Sequence, residues 1–471
     1  MVMFKRTTRE DTKLLKVVNE LLRVLGKEKV LSGIEDRLCY SYDGTKQKAL
    51  PDIVIRPNTT SDVSITLKVA NKYEIPICAR GAGTGLSGGA VPLQGGIVFD
   101  LKGMNKILSI CPEDFIATVE PGVVTKHLQD EVAKHGLFYP PDPSSAAFST
   151  IGGNVAECAG GITGLKYGVT RDYILALEIV LPDGSIINTG RKTLRSVTGY
   201  DLTRLFIGSE GTLGIFTKIT VKLIPKPEKI DTLAAFFCER DNAIDAADLV
   251  IENNIVPRTL EFMDQMSISA VRGYGGVTLD EDVKALLLID IDGTGENIKH
   301  DLSVVESACK KKNALRVKVA ETSKEREAIW AVRRSISPAL YNIAPHKINE
   351  DVCVPRSRIK ELLQKVDQLN DKREIYVANF GHIGDGNVHV NIMFKDEPGQ
   401  EEIAEKIVHN IMVEVIKLGG TISGEHGIGN KKSQFMDLEI LPKELSIMKK
   451  LKDFFDPKGI MNPGKLFPSS A

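Results

Sequence analysis

The chain has 471 residues, more than one ordinary hydrophobic core accommodates, which points to two or three domains. Hydrophobic residues make up 42% and charged residues 26%, as in a folded soluble protein, and a formal net charge of −1 gives no bulk field to recruit nucleic acid or anionic lipid. No apolar run approaches the roughly 20 residues needed to span a bilayer, and seven scattered cysteines without a CxxC pair exclude zinc-finger and iron–sulfur patterns and fit reduced thiols in a cytoplasm.

The opening stretch, MVMFKRTTREDTKLLKVVNELLRVLG, lacks a secretory apolar region and cleavage site. Leu14, Leu15, Val18, Leu21, Leu22 and Leu25 recur at helical spacing and predict an amphipathic helix packed on the body. Residues 52–80 then read strand, helix, strand: DIVIR closed by Pro57, TTSDVSITLKVANKYE with Ser/Thr capping candidates, and IPICAR. From 81 to about 225, glycine-rich turns separate short strand-like runs, with Asp183-Gly184 as a hairpin turn. PKPEK (225–229) marks a domain boundary. Beyond it strand-like segments (TLAAFFC, TLEFM, ALLLIDID, LRVKVAE, INEDVCV, EIYVANF, NVHVNIMF) alternate with predicted helices at 241–254, 296–312, 323–344, 356–370 and 401–418. That alternation predicts an α+β domain around a mostly antiparallel sheet. The tail LKDFFDPKGIMNPGKLF reads as a helix and an ordered loop. The expected division is an N-terminal helical segment (1–45), a domain spanning 46–226 and a C-terminal domain spanning 227–471.

ARGAGTGLSGGA (79–90) contains Gly83-x-Gly85-x-x-Gly88 after a strand, the pattern of a dinucleotide fingerprint. Its context is wrong for a Rossmann loop, because Pro92, Gly95-Gly96 and the strand IVFDL follow where a helix should open. Two readings of the loop remain. It is a flexible turn, or its successive glycine amides form an anion-binding nest beside Arg80. The stretches at 140–169 and 208–216 favour the second reading, since both use Gly, Ala, Ser and Thr where backbone can closely approach a large planar ligand.

In combination, RGAGTGLSGG, PPDPSS…STIGGNVAECAGG…KYGVTRDY and GSEGTLGI resemble the FAD-binding (PCMH-type) domain of the vanillyl-alcohol-oxidase flavoproteins. The rest of the chain is similar to one branch of them, the FAD-linked 2-hydroxyacid dehydrogenases and oxidases, which includes D-lactate dehydrogenases and the glycolate oxidase catalytic subunit. The resemblance implies an α+β protein, with a PCMH-type FAD-binding domain followed by a substrate (cap) domain and C-terminal helices. It implies FAD held by Arg80, Gly81, Ala82, Gly83, Thr84 and Gly85, by Pro141, Asp142 and Ser145, and by Ser149, Thr150, Gly153 and Asn154. Gly160, Gly161, Tyr167, Val169, Glu210, Gly211, Gly214, Ile215 and Asn462 complete that set. Some relatives tether FAD through a histidine in the glycine loop; Thr84 stands there, which implies non-covalent FAD.

GHIGDGNVHVN (381–391) places His382 before a Gly-Asp-Gly turn, and His389 and Asn391 on one side of the following strand. GEHGIG adds Glu425 and His426 between glycines. Two histidines and a carboxylate fit a catalytic metal site with open positions, for zinc, iron or manganese. Because adjacent residues rarely face one ion, Glu425 is the third ligand and His426 is left to take a proton. The alternative is a set of hydrogen-bonded structural histidines; the resemblance supports the metal. The spacing is not HExxH, and Asp290, Asp292 and Gly295 form an incomplete EF-hand pattern that is set aside.

AIWAVRRSISPAL puts Arg333 and Ser337 on one helical face, where the arginine can grip a carboxylate. The resemblance adds Lys347 and Asn391 as substrate contacts. The expected reaction is oxidation of a small D-2-hydroxy acid, D-lactate or glycolate, to the 2-oxo acid, with FAD accepting the hydride, the metal acidifying the hydroxyl and His426 as base. The alternatives are an electron-relay flavoprotein subunit of a larger complex, a D-2-hydroxyglutarate dehydrogenase, and a non-redox metal protein. Expected acceptors are an electron-transferring flavoprotein, an iron–sulfur subunit or a quinone. The chain is expected as a homodimer or in a heteromeric complex, cytoplasmic or peripheral at the membrane through a partner, with no nucleic-acid role.

Overall fold

A computed structural model describes residues 8–45, 47–273, 279–369 and 375–468. Asn370 and Glu374, at the ends of two predicted segments, lie outside these. The chain divides into two compact units: residues up to Ala159, Val169–Pro225 and from His426 on form the first; Gly160–Gly168 and Lys226–Glu425 form the second. The boundary at Pro225/Lys226 falls in PKPEK. Residues 426–471 join the first unit, whereas the expected division gave them to the C-terminal domain.

In the first unit, the helix Thr8–Leu25 packs through Val17, Leu21 and Leu25, which are buried, mainly against the helix Thr60–Tyr73 beside a four-stranded sheet. Leu14, Val18 and Leu22 pack at its edges, so the expected stripe faces the core except at Leu15, which is 63% exposed, while Val17 is buried in addition. The predicted strand–helix–strand forms as Ile53–Ile55, Thr60–Tyr73 and Ile77–Arg80. Thr59 and Asp62 close a capping box at the helix start, and Glu74 ends it in the left-handed region. Ile97–Asp100 inserts between the two strands, parallel to both. A five-stranded antiparallel sheet follows, in the order Ile107–Cys111, Ile116–Val119, Ile215–Lys222, Ile174–Val180, Ile186–Gly190. Gly184 (φ 81°) makes the predicted turn between Ile174–Val180 and Ile186–Gly190.

The C-terminal helix Pro442–Phe455 and the tail return to this unit. Phe455 packs edge-on against Phe206, Lys452 donates to the carbonyls of Thr212 and Met461, and the tail runs beside Ile77. These polar and aromatic partners lie far away in sequence, which is why the boundary was not readable there.

The second unit is built on a seven-stranded sheet in the order Arg316–Val319, Lys229–Phe237, Ala285–Gly293, Thr259–Met263, Tyr376–His382, Asn387–Phe394, His346–Cys353. Its pairings are antiparallel. Ala234, Phe236, Met263, Leu286, Leu288, Ala378, Phe380 and Met393 on one face pack against Ile329, Val332 and Ile336 of the helix Ser323–Ala339. The short helix Gln265–Val271, capped by Asp264, also joins this core. Register places a set of polar residues on that same face. Glu261 pairs with Leu288, His389 with Phe380 and Asp351, and Asn391 with Ala378 and Asn349.

Candidate active site

In the first unit the expected cofactor loops converge. A Cβ on Gly81 would lie 2.3 Å from Thr150 Oγ1, the Glu210 amide donates to Ala156 O at 2.8 Å, and Gly211 approaches Ala79. The expected polar side chains are used to brace these loops. Arg80 is buried under the glycine loop and donates to the carbonyls of Tyr42 and Ala90; a side chain on Gly83 would collide with it. Asn154 Nδ2 donates to Thr125 Oγ1, which also meets Ser149 Oγ, and Thr150 caps the helix Ile151–Glu157 through the Gly153 amide. Gln129 holds the Pro141 carbonyl and reaches Asp142. Ser145 O accepts from the Ser149 amide. Glu210, at φ 52°, accepts from the amides of Ile428 and Gly429 at 2.7 and 2.6 Å. Asn462 Nδ2 bridges Gly89 O and Glu210 O, tying two loops together.

What these braces leave toward a ligand is backbone and small side chains. A Cβ on Gly85 would meet nothing within 4 Å. Ser87 Oγ and Ser209 Oγ are buried with no partner among the described residues, hydroxyls that a polar ligand would satisfy. The residues present therefore fit FAD. Gly160, Gly161 and Tyr167 belong to the second unit, where the Tyr167 hydroxyl donates to Asp292 at 2.7 Å beside Arg258. The Val169 amide bonds Asp172, Gly214 lies close against Ile179 and Val180, and Ile215 begins a strand opposite Val180.

The second unit brings three of the expected ligands together. The rings of His382 and His389 stand edge to face, 5.3 Å apart. Glu425 Oε1 lies 3.3 Å from His382 Nε2 and 3.4 Å from His389 Nε2, and one donor atom from each residue falls within 4.8 Å of the others. Asp351, fully buried, carries the Glu425 loop by accepting from the Glu425 amide at 2.7 Å and from Ser423 Oγ. Gly424 lets that loop in, since a Cβ there would lie 2.7 Å from the Asn387 side chain.

Glu261 lies behind the site, fully buried, with one oxygen on His382 Nδ1 and the other on Arg333 Nε at 2.7 Å. Burial pushes its carboxyl up, but the charges and hydrogen bonds of His382 and Arg333 outweigh that and hold it at about 2. Burial likewise disfavours a charged His382, yet Glu261 and Glu425 hold it well above the ordinary histidine value. A carboxylate only accepts, so Glu261 keeps the proton on Nδ1 and turns Nε2 toward the cluster. Two imidazole nitrogens and a carboxylate oxygen are a donor set that fits zinc, iron or manganese.

Arg333 stacks over Phe380 at 4.6 Å, and its terminal nitrogens have no hydrogen-bond partner among the described residues. Lys347 Nζ donates to Ser337 O and Oγ, both at 2.8 Å, so these two expected contacts hold each other. Asn391 is fully buried and its Oδ1 has no partner among the described residues. His426 follows Glu425 in the chain and is grouped with the first unit. Sequence reasoning missed Glu261 and Asp351. The available signal was a carboxylate inside an apolar strand, TLEFM and INEDVCV, because a buried charge needs partners.

A model of the FAD-linked oxidase C-terminal domain matches residues 226–466, and one of an FAD binding domain matches 51–190. The chain belongs to the FAD-linked oxidase family. This FAD-linked oxidase is 45% identical to glycolate oxidase subunit GlcD of Bacillus subtilis over 97% of both chains. It is 34% identical to a D-lactate dehydrogenase of Anaerostipes hadrus over 95% of this chain and 96% of that one. A crystal structure of p-cresol methylhydroxylase with substrate bound superimposes with a TM-score of 0.78 over 97% of each chain; at 20% identity it speaks to the fold alone, which is of the PCMH type. Among the described residues no helix is long and apolar enough to cross a membrane.

Proposed function

We propose that this FAD-linked oxidase oxidises a small D-2-hydroxy acid, glycolate or D-lactate, to the 2-oxo acid with the help of a divalent cation. The observation that carries the reading is the convergence of His382, His389 and Glu425 in the same buried network as Arg333. The names of the similar proteins point to the same substrates.

FAD, held non-covalently by the braced loops, supplies the two-electron acceptor. A divalent cation on His382, His389 and Glu425 supplies Lewis acidity toward the substrate hydroxyl. The terminal nitrogens of Arg333 grip the substrate carboxylate in a fork that fixes which C–H is presented. Asn391, and Lys347 with Ser337, line the same region as further substrate contacts. His426 takes the hydroxyl proton, a contribution of roughly 10²–10⁴-fold. Electrons leave to an electron-transferring flavoprotein, an iron–sulfur subunit or a quinone. The enzyme works in the cytoplasm, peripheral at the membrane through such a partner.

The test is anaerobic bleaching of the flavin by glycolate and D-lactate. His426→Ala is expected to stay folded, yellow and metal-loaded while its bleaching rate falls by roughly 10²–10⁴-fold. Bleaching at the wild-type rate in that variant removes His426 from the reaction. The word subunit in the glycolate oxidase relative's name favours a second role as relay within a complex. Bleaching of the purified chain alone distinguishes an oxidase from a pure relay.

A further inference from the structure

The proposed function uses Arg333 for the substrate and His382 for the cation but gives no task to the carboxylate between them. Glu261 sits on the strand Thr259–Met263, fully buried, flanked by Leu260 and Phe262. Its two oxygens are divided, Oε1 to His382 Nδ1 and Oε2 to Arg333 Nε at 2.7 Å. A buried carboxylate is tolerated only when its partners replace the lost water, and here both partners belong to the candidate site. Arg333 also lies over the Phe380 ring, whose centroid is 5.4 Å from that of His389. Both substrate anchor and cation ligands thus rest on one small group of side chains.

We infer that Glu261 is a shared positioning residue, one carboxylate that fixes the cation ligand His382 and the substrate-gripping Arg333 together, so that cation and hydroxy acid bind as a coupled pair. The inference rests on the proposed metal-assisted oxidation. The carboxylate orients the imidazole and strengthens it as a donor, as partners behind metal-bound histidines generally do. Through its other oxygen it sets the direction of the guanidinium. Losing it loosens both, and a change at either partner is transmitted to the other.

The test uses the full-length, FAD-loaded protein with Mn²⁺ as the probe. Free Mn²⁺ is read by its paramagnetic resonance signal, alongside KM and kcat for glycolate and D-lactate at saturating Mn²⁺. Glu261→Gln is expected to weaken Mn²⁺ binding by roughly 10- to 100-fold and to raise KM even when the cation is saturating. Glu261→Asp, which keeps the anion, recovers part of the Mn²⁺ affinity; it also reads the inference if the Gln variant does not fold, because the retracted carboxylate cannot serve both partners fully. Wild-type Mn²⁺ affinity and KM in whichever folded variant is measured overturn the inference and leave the proposed function standing. A wild-type protein that takes up no divalent cation overturns the metal-assisted reading itself, and this inference with it.

Discussion

Glu157 carries its Oε2 buried without a partner among the described residues, close to Glu210 and to Gly427. Burial first, then the negative charge of Glu210, pushes its carboxyl well above the usual carboxylate range. Burial raises the Glu210 carboxyl as well, but the amides of Ile428 and Gly429 donate to it and offset part of that, so Glu157 is the one held further above the ordinary range. From the ordinary carboxylate value up to that raised one, the folded unit retains a proton that the unfolded chain has released. Stability therefore falls as pH rises through this window. Glu157→Gln removes the dependence, so its thermal midpoint is expected to drop less than that of the wild type between about pH 5 and pH 8. Parallel curves for the two proteins would remove Glu157 from the account. At this scale the sequence was informative where a motif carried the residue. It was uninformative where the residue's meaning lay in a distant partner, as for Glu261, whose partners are 72 and 121 positions away.

The hairpin of Tyr376–His382 and Asn387–Phe394 was legible because alternation and a Gly-Asp-Gly turn fix strand and register together. That register, with Phe380 opposite His389, brings the two imidazoles onto one face. Gly386 sets the return of the chain at φ 93°, and a Cβ there would lie 2.0 Å from Val354 O. Gly386→Ala is expected to destabilise the protein by more than about 1 kcal/mol in urea unfolding, and to weaken cation retention by displacing His382. Unchanged unfolding and cation content would show that the turn tolerates a side chain. The N-terminal helix was legible as a helix and in its facing, apart from Leu15. Leu15 and Val17 flank the same apolar stripe, and tertiary packing buries Val17 and leaves Leu15 exposed. The helix Gln265–Val271 is too short for a periodic signal.

At the scale of the whole molecule, the expected division was an N-terminal segment (1–45) and two domains meeting in PKPEK; the structure has two units that meet at Pro225/Lys226, with the N-terminal segment part of the first. The return of 426–471 to the first unit depends on Asn462, Lys452 and Phe455 reaching residues hundreds of positions away or on another element, contacts no local pattern encodes. One consequence is that the chain passes from the second unit to the first between Glu425 and His426, the proposed ligand and the proposed base. The account requires that substrate oxidation depend on a cation bound by the second unit. The most direct measurement is anaerobic flavin bleaching by glycolate and D-lactate in protein stripped of metal by a chelator, and again after Mn²⁺ or Zn²⁺ is restored. Bleaching should be lost on stripping, with FAD still bound, and should return with the cation. Metal-free, FAD-loaded protein that bleaches at an undiminished rate would contradict it.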